Sequence, residues 1–457
     1  MPTLPNSLAA RDIASLVHPQ TNLRRHEEIG PLVVDGGSGV WLRDEDGNEL
    51  LDAMSGLWCA SLGYAPQRLA EVAYEQMQKM AYSHLYKHRS HEPAIALAEK
   101  LLSIAPEGMS KVHFQNSGSE ANDVAIKLTW YYQHAVGKPE KRKIIARRGA
   151  YHGSSVAAVS LTGQPNMHMG FGLPLEGFLH TDEPYYYRDA EPGESEEEYS
   201  SRLAANLEAL IEREGPDTIA AFFAEPVLGS SGAISPPATY FEKIQAVLKR
   251  HDILFVADEV ITGFGRTGNM WGSQTFKLKP DIVTCAKALS AGVLPISAVM
   301  MTERVYQAMR LQSEQLGSFA HGHTYAGHPV CASVALETLK IYEEMNLPAH
   351  VASLGNRLAD ILGALEGHPL VAAVDVAGFM AGVEIAQDKE TRSAFPAGMN
   401  VPGRIGEAAL AQGLIVKTVG SRICFAPAFV ISSDELAEAG SRLSRALDTV
   451  NAELEAA

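Results

Sequence analysis

Cysteine is scarce in this chain: only Cys59, Cys285, Cys331 and Cys424 occur in 457 residues, and no two form a CxxC pair. That excludes a disulfide framework and a thiolate-based zinc module, and it suits reduced thiols in a cytoplasm. Long apolar runs are missing too. None approaches the roughly 20 residues a membrane-crossing helix needs, so no membrane partner is expected. Positive charge is in short supply, with 38 Lys and Arg against 54 Asp and Glu and a formal net charge of −16. A nucleic-acid partner would demand a basic patch, so none is expected either. The opening Met1-Pro2-Thr3-Leu4-Pro5-Asn6-Ser7 has no basic region followed by an apolar core, and no secretory signal is read there. Internal repeats and low-complexity linkers are also absent.

What is present is a chain long enough for two or more domains. The first thirty or so residues are mixed and polar and read as an arm with a short helix. A hairpin follows in Gly39-Val40-Trp41-Leu42, the turn Asp46-Gly47-Asn48, and Glu49-Leu50-Leu51-Asp52. From about residue 90 to 305, strand-like and helix-like segments alternate. The strands are read at 112–114, 143–146, 220–223, 254–256 and 282–283, and the helices at 94–102, 120–135 and 241–249. That alternation predicts an α/β domain on a mostly parallel sheet. The acidic run Glu194-Ser195-Glu196-Glu197-Glu198 reads as a solvated helix start. Beyond 330 come a long helix, a strand pair near Val371 to Ile385 and a final amphipathic helix from Ser433. The expected division is an N-terminal segment at 1–60, a large domain at 61–330 and a small α+β domain at 331–457 that also draws in the N-terminal segment.

Two apolar runs end in chemistry. Ile253-Leu254-Phe255-Val256-Ala257 closes on Asp258 and Glu259, and Asp281-Ile282-Val283-Thr284-Cys285-Ala286 closes on Lys287. In a parallel sheet, ligands collect at the carboxyl ends of strands. One acid and one lysine placed there suit pyridoxal phosphate, whose aldehyde takes a lysine and whose basic ring nitrogen takes an aspartate. Taken alone, Asp258 and Glu259 also suit a metal pair or an acid/base pair; Lys287 in the matching position narrows the choice. Upstream, Asn116-Ser117-Gly118-Ser119-Glu120-Ala121-Asn122 lies between a strand and a helix. It reads either as a phosphate loop at a helix N-terminus or as a plain cap. Tyr151, in Tyr151-His152-Gly153, is placed to stack on a flat ring.

Two motifs point elsewhere and are set aside. Gly263-Phe264-Gly265-Arg266-Thr267-Gly268 matches GxGxxG formally, but it neither follows its strand directly nor opens a helix. His321, His323 and His328, like His84, His88 and His91, lack both a closed set of thiolates and the HExxH form. No metal site is expected.

Residues 254–268 and 281–287 together resemble the signature of class III pyridoxal-phosphate aminotransferases. Asn116 to Asn122, Tyr151-His152-Gly153, Ala224-Glu225-Pro226-Val227 and His323-Thr324-Tyr325-Ala326-Gly327-His328-Pro329 support the likeness, which extends from Leu57-Trp58 to Gly413-Leu414-Ile415. The resemblance implies a fold-type I transferase: a large domain on a mainly parallel seven-stranded sheet, plus a small α+β domain from both chain ends. Lys287 becomes the Schiff-base lysine and Asp258 the partner of the pyridine nitrogen. Ser117, Gly118 and Ser119 take the phosphate, Tyr151 and Val260 take the two ring faces, and His152 and Glu225 complete the cofactor site. Thr324 would reach the phosphate held by a neighbouring subunit, which implies a homodimer or a dimer of dimers.

Two positions bear on the branch. Ornithine- and γ-aminobutyrate-type members carry glutamate where this chain has Ser230, and glutamine where it has Ile261. These departures, with Leu57-Trp58, look like the ω-amino acid:pyruvate and amine:pyruvate branch. The implied reaction moves an amino group from an amine to an α-keto acid, with pyruvate as the expected acceptor. Trp58 and Tyr86 would border the substrate. The branch carries an arginine for the substrate carboxylate where Lys417 aligns, so either Lys417 or Arg422 would take that role. Lys87 and Arg89 either face solvent or favour a donor with an anionic or polar group far from its amine. On the same fold an aminomutase or a decarboxylase is the alternative; from another class, it is a non-catalytic cofactor-binding protein.

Overall fold

The computed structural model describes residues 6–456. Its centre is a seven-stranded sheet of β4 (Met109–Gln115), β5 (Lys143–Arg147), β6 (Phe178–Thr181), β7 (Ile219–Ala224), β8 (Leu254–Asp258), β9 (Ile282–Cys285) and β10 (Ser297–Thr302). The spatial order is β4-β10-β9-β8-β7-β5-β6. β10 runs antiparallel to both its neighbours, and the other pairs are parallel. This is the mainly parallel seven-stranded sheet that the resemblance implied.

The inner strands read as unbroken apolar runs because both faces are covered. Alternate residues still divide between two cores. Phe222, Phe255 and Val283 pack with the helices Glu196–Glu214, Tyr240–Arg250 and Pro329–Glu344, whereas Phe223, Val256 and Ile282 pack with Gly118–Ala135 and Glu303–Leu316. The acidic run is the expected solvated start: Ser195 caps the helix Glu196–Glu214 and Glu198 closes a reciprocal capping box.

Two smaller sheets flank this body. β1 (Val34–Ser38), β2 (Trp41–Asp44) and β3 (Glu49–Asp52) form the N-terminal sheet, and β13 (Leu414–Ile415) joins it parallel to β3. β11 (Val371–Ala377), β12 (Met380–Ile385), β15 (Arg422–Phe425) and β14 (Lys417–Val419) form the other. The single long helix expected after 330 is two, Pro329–Glu344 and Leu347–Gly363. Asn346 sits between them at φ 46°, with Pro348 just beyond; a left-handed residue followed by a proline breaks the run. The arm carries the helices Leu8–Ser15 and Leu23–Ile29. The GxGxxG match lies in successive turns after β8, not at a helix N-terminus, so it offers no pyrophosphate cradle.

Candidate active site

The parallel strands deliver five segments to one end of the sheet: Asn116 to Ser119 after β4, Tyr151 to Gly153 after β5, Glu225 after β7, Asp258 at the end of β8 and Lys287 after β9. They enclose a cavity of about 140 Å³ whose walls include Gly118, Ser119, Asn122, Tyr151, His152, Glu225, Asp258, Val260 and Lys287.

Asp258 is buried, and three donors hold its carboxylate. Asn122 Nδ2 donates to Oδ2 at 2.7 Å, His152 Nδ1 lies 2.8 Å from the same oxygen, and the Val260 amide donates to Oδ1 at 3.0 Å. An ionised carboxylate only accepts, so His152 carries its proton on Nδ1. Its Nε2 is buried without a partner. Asn122 is fully used: Nδ2 also donates to His152 O at 2.6 Å, and Oδ1 accepts from Thr284 Oγ1 at 2.9 Å. Thr284 is the register partner of Asp258 across β8 and β9. Asn122 and Thr284 were not singled out from the sequence. The available signals were one helical turn from Gly118 for Asn122, and the residue opposite Asp258 for Thr284.

Lys287 follows β9 with φ 52°, a left-handed backbone that costs a non-glycine residue energy and marks a site held by its surroundings. Burial pushes its amine below the ordinary lysine range, and the Asp258 carboxylate pulls the other way; the Lys417 charge adds to the depression. A lysine so placed supplies a neutral nucleophile. Glu225 is spent on the backbone, with Oε1 accepting from the Tyr151 amide and Oε2 from the Gly229 amide, both at 3.0 Å. Burial pushes its carboxyl above the usual range, against the opposing charge of His152. Its role is to place Tyr151. The neighbouring Glu259 accepts from Gly272, Ser273 and Thr262 and serves as a structural acid rather than the second half of a metal or acid/base pair.

The fit of pyridoxal phosphate rests on three features. First, the helix Gly118–Ala135 aims its N-terminus at the cavity, with Ser119 beside it. Ser117 is its N-cap, accepting from the Glu120 amide at 3.2 Å, so the capping reading holds for that residue. Second, a Cβ on Gly118 would come within 2.9 Å of Val260 and one on Gly153 within 2.6 Å of Ser119 Oγ, so small residues keep this rim open. Third, the amine-bearing Lys287 and the carboxylate-bearing Asp258 line the same cavity. The donor set fits a phosphorylated pyridine aldehyde.

The remaining expected residues fall in other places. Trp58 is buried beside Ile261, Val419 and Cys424, and Ile261 lines the cavity. The loop before it is strained, with Ser55 at φ 47° and Trp58 at φ 64°. Asp52 secures the loop: its carboxylate accepts from the Met54 amide at 2.8 Å, the Gly56 amide at 2.6 Å and Tyr64 Oη at 2.5 Å. Tyr86 and Thr324 do not join Lys287 within one chain. Tyr86 borders a separate cavity of about 460 Å³ with His321 and His323, and Thr324 is exposed beside it. Lys417 is half-buried on β14. Arg422 is not a free carboxylate anchor. It is 4% exposed, donates to Gly382 O at 3.1 Å, and lies 3.6 Å from Asp375 and 4.0 Å from Glu384. On β15 it shares a face with Cys424, and its guanidinium is taken up by this packed network.

The family model of class-III aminotransferases matches residues 23–447. The chain is 47% identical to gamma-aminobutyrate transaminase 1, mitochondrial, of Oryza sativa subsp. indica, over 90% of this chain and 80% of that one. It is 45% identical to vanillin aminotransferase of Capsicum frutescens, over 90% of each chain. An omega transaminase of Pseudomonas jessenii, solved in complex with PMP, superposes with a TM-score of 0.96 at 46% identity, covering 98% of each chain. With a family match over nearly the whole chain and a lysine and an aspartate facing one cavity, the protein belongs to the class-III aminotransferases, enzymes that use pyridoxal 5′-phosphate.

Proposed function

We propose that the enzyme moves an amino group from an ω-amino acid or primary amine to pyruvate, amine and keto acid using the same pocket in turn. The observation that carries this reading is the pairing of a burial-depressed Lys287 with a triply held Asp258 across one small cavity. When bound, the cofactor supplies a sink for the electrons left as the substrate carbon loses its proton. Lys287, uncharged, takes and returns that proton. Asp258 would stabilise a proton on the cofactor's ring nitrogen, while Asn122, His152 and the Val260 amide keep its carboxylate aimed. Tyr151 and Val260 would hold the ring between them, and Gly118 and Ser119 would take the phosphate, with Ser117 capping the helix that meets it. Trp58 bounds the space for the amine, and Lys417 meets the carboxylate of the keto acid.

The working unit is a homodimer or a dimer of dimers, with Thr324 and Tyr86 serving the partner's site. Their exposure beside one cavity, apart from Lys287, supports this arrangement. Four free thiols and the absence, among the described residues, of any helix able to cross a membrane accord with a cytoplasmic enzyme. The test is a panel of amines and ω-amino acids with pyruvate, read as alanine. Amine-dependent alanine is expected. Product formed equally well without any keto acid would point instead to a mutase or decarboxylase, and cofactor binding with no turnover of any donor to a non-catalytic protein.

A further inference from the structure

The N-terminal arm carries a cluster that amino transfer does not use. Asp12 lies on the helix Leu8–Ser15, His26 on the helix Leu23–Ile29, and His18 on the link between them. Both imidazoles turn the same nitrogen to one carboxylate. His18 Nε2 lies 2.9 Å from Asp12 Oδ1 and 3.0 Å from Oδ2, and His26 Nε2 lies 3.0 Å from Oδ1. The two rings are 4.2 Å apart. The side chains are 15%, 31% and 10% exposed for Asp12, His18 and His26, a half-sheltered pocket with one open side.

We propose that Asp12, His18 and His26 bind a divalent transition metal, zinc by preference, with water in the open position. Two imidazole nitrogens and one carboxylate form a borderline donor set that suits zinc and excludes calcium or magnesium. Bonds of about 2.0–2.2 Å to a tetrahedral ion place ligand atoms roughly 3.3 Å apart, so the observed 2.9–3.0 Å spacings need to widen by only a few tenths of an ångström. Without an ion, each imidazole must present Nε2–H to the acceptor carboxylate. On binding, the ring protons move to Nδ1 and the Nε2 lone pairs face the ion, with no net proton change for neutral rings. The helix Leu23–Ile29 is itself tied to the helix Val401–Ala411 by Arg25 and Glu407 at 3.1 Å. The ion would therefore pin the first helix to the body of the protein. None of the three ligands lines the cavity that holds Lys287.

The experiment uses tag-free holoenzyme at pH 7.5 with zinc alone, followed by titration calorimetry, and with cobalt as a spectroscopic reporter. Trypsin adds a structural readout, because Arg24 lies between His18 and His26 and is 90% exposed. One ion per chain should bind, cobalt should show tetrahedral d–d bands, and zinc should slow cleavage at Arg24. Asp12→Asn and His18→Ala should each weaken binding at least about tenfold while leaving alanine formation unchanged. The proposal is overturned if the parent binds no zinc, or if both variants bind as the parent does, which would put the ion elsewhere. Equal cleavage at Arg24 with and without zinc would also overturn it.

Discussion

Replacing Asn122 with alanine removes the residue that connects β8, β9 and the segment after β5. Its amide donates to Asp258 at 2.7 Å and to His152 O at 2.6 Å, and its oxygen accepts from Thr284 at 2.9 Å. A hydrogen bond to a charged group contributes about 1.5–3 kcal/mol, and each buried partner left without a bond costs about 1–3 kcal/mol. Water entering the vacated space offsets part of that, so the variant should lose about 2–4 kcal/mol of stability in denaturant unfolding. The catalytic share is the single bond to Asp258, whose 1.5–3 kcal/mol corresponds to a fall of roughly 10- to 150-fold in kcat. Thr284→Val leaves both donor bonds in place and removes only the orienting acceptor bond, so its loss should be about fivefold. Single-turnover measurements of the amine half-reaction read this directly, with KM for the amine moving less than kcat. Cofactor-loaded Asn122→Ala turning over within twofold of the parent would refute the reasoning, as would a Thr284→Val variant slower than Asn122→Ala.

Lys287→Ala should lose turnover by at least about 10⁴-fold; after borohydride reduction the parent should retain cofactor mass covalently and the variant none. Asp52→Asn weakens the acceptor that holds the strained loop before Trp58. It should cost about 1–3 kcal/mol of stability and change the ratio of kcat/KM between bulky and small amines while the cofactor spectrum stays as in the parent. Burial, with the charge of Asp189 adding, pushes Glu183 up to about 7 from an ordinary 4.5. The folded protein therefore keeps a proton there that the unfolded chain has released, and stability should fall as pH rises from about 4.5 to about 7 and then level off. The size is up to about 3 kcal/mol. Glu183→Gln should flatten that slope in Tm measured from pH 5 to 8, and parallel curves for parent and variant would count against this account.

The candidate pair of Asp258 and Lys287 was legible because burial leaves a strong imprint on sequence. β8 and β9 are covered on both faces, so their runs stay largely apolar until they close on Asp258 and, just past β9, on Lys287. β6 and β10 escaped notice for the opposite reason. β6 is a short edge strand with polar positions, and the middle of β10 is Ala298, Val299, Met300 and Met301, of which alanine and methionine suit helices better than strands. The pairing of β13 with β3 joins residues more than 350 positions apart, and two-residue strands carry no periodicity to read. The supports of the site were hidden in the same way. Asn122, Thr284 and Asp52 act through contacts between segments that only the folded sheet brings together.

The same distinction decides between the two cations considered for the substrate carboxylate. Arg422 is five residues from Lys417 and, read as sequence, an equal candidate. In the fold it is enclosed by Asp375, Glu384 and the ring of Tyr185, and Glu384 is itself 1% exposed. Withdrawing Arg422 toward a substrate would give up its bonds to Gly382 O and Ala233 O and leave the buried Glu384 to Arg188 alone. Lys417 carries no such commitment, and its charge already reaches Lys287. Under the proposed function its cation would offer an attractive point for a carboxylate, and it adds to the downward push that burial gives the Lys287 amine. Lysine in place of arginine preserves both electrostatic effects and gives up only the planar fork that would fix a carboxylate in one orientation. The expected consequence is a pocket that accepts keto acids by charge and selects among them mainly by the walls around Trp58.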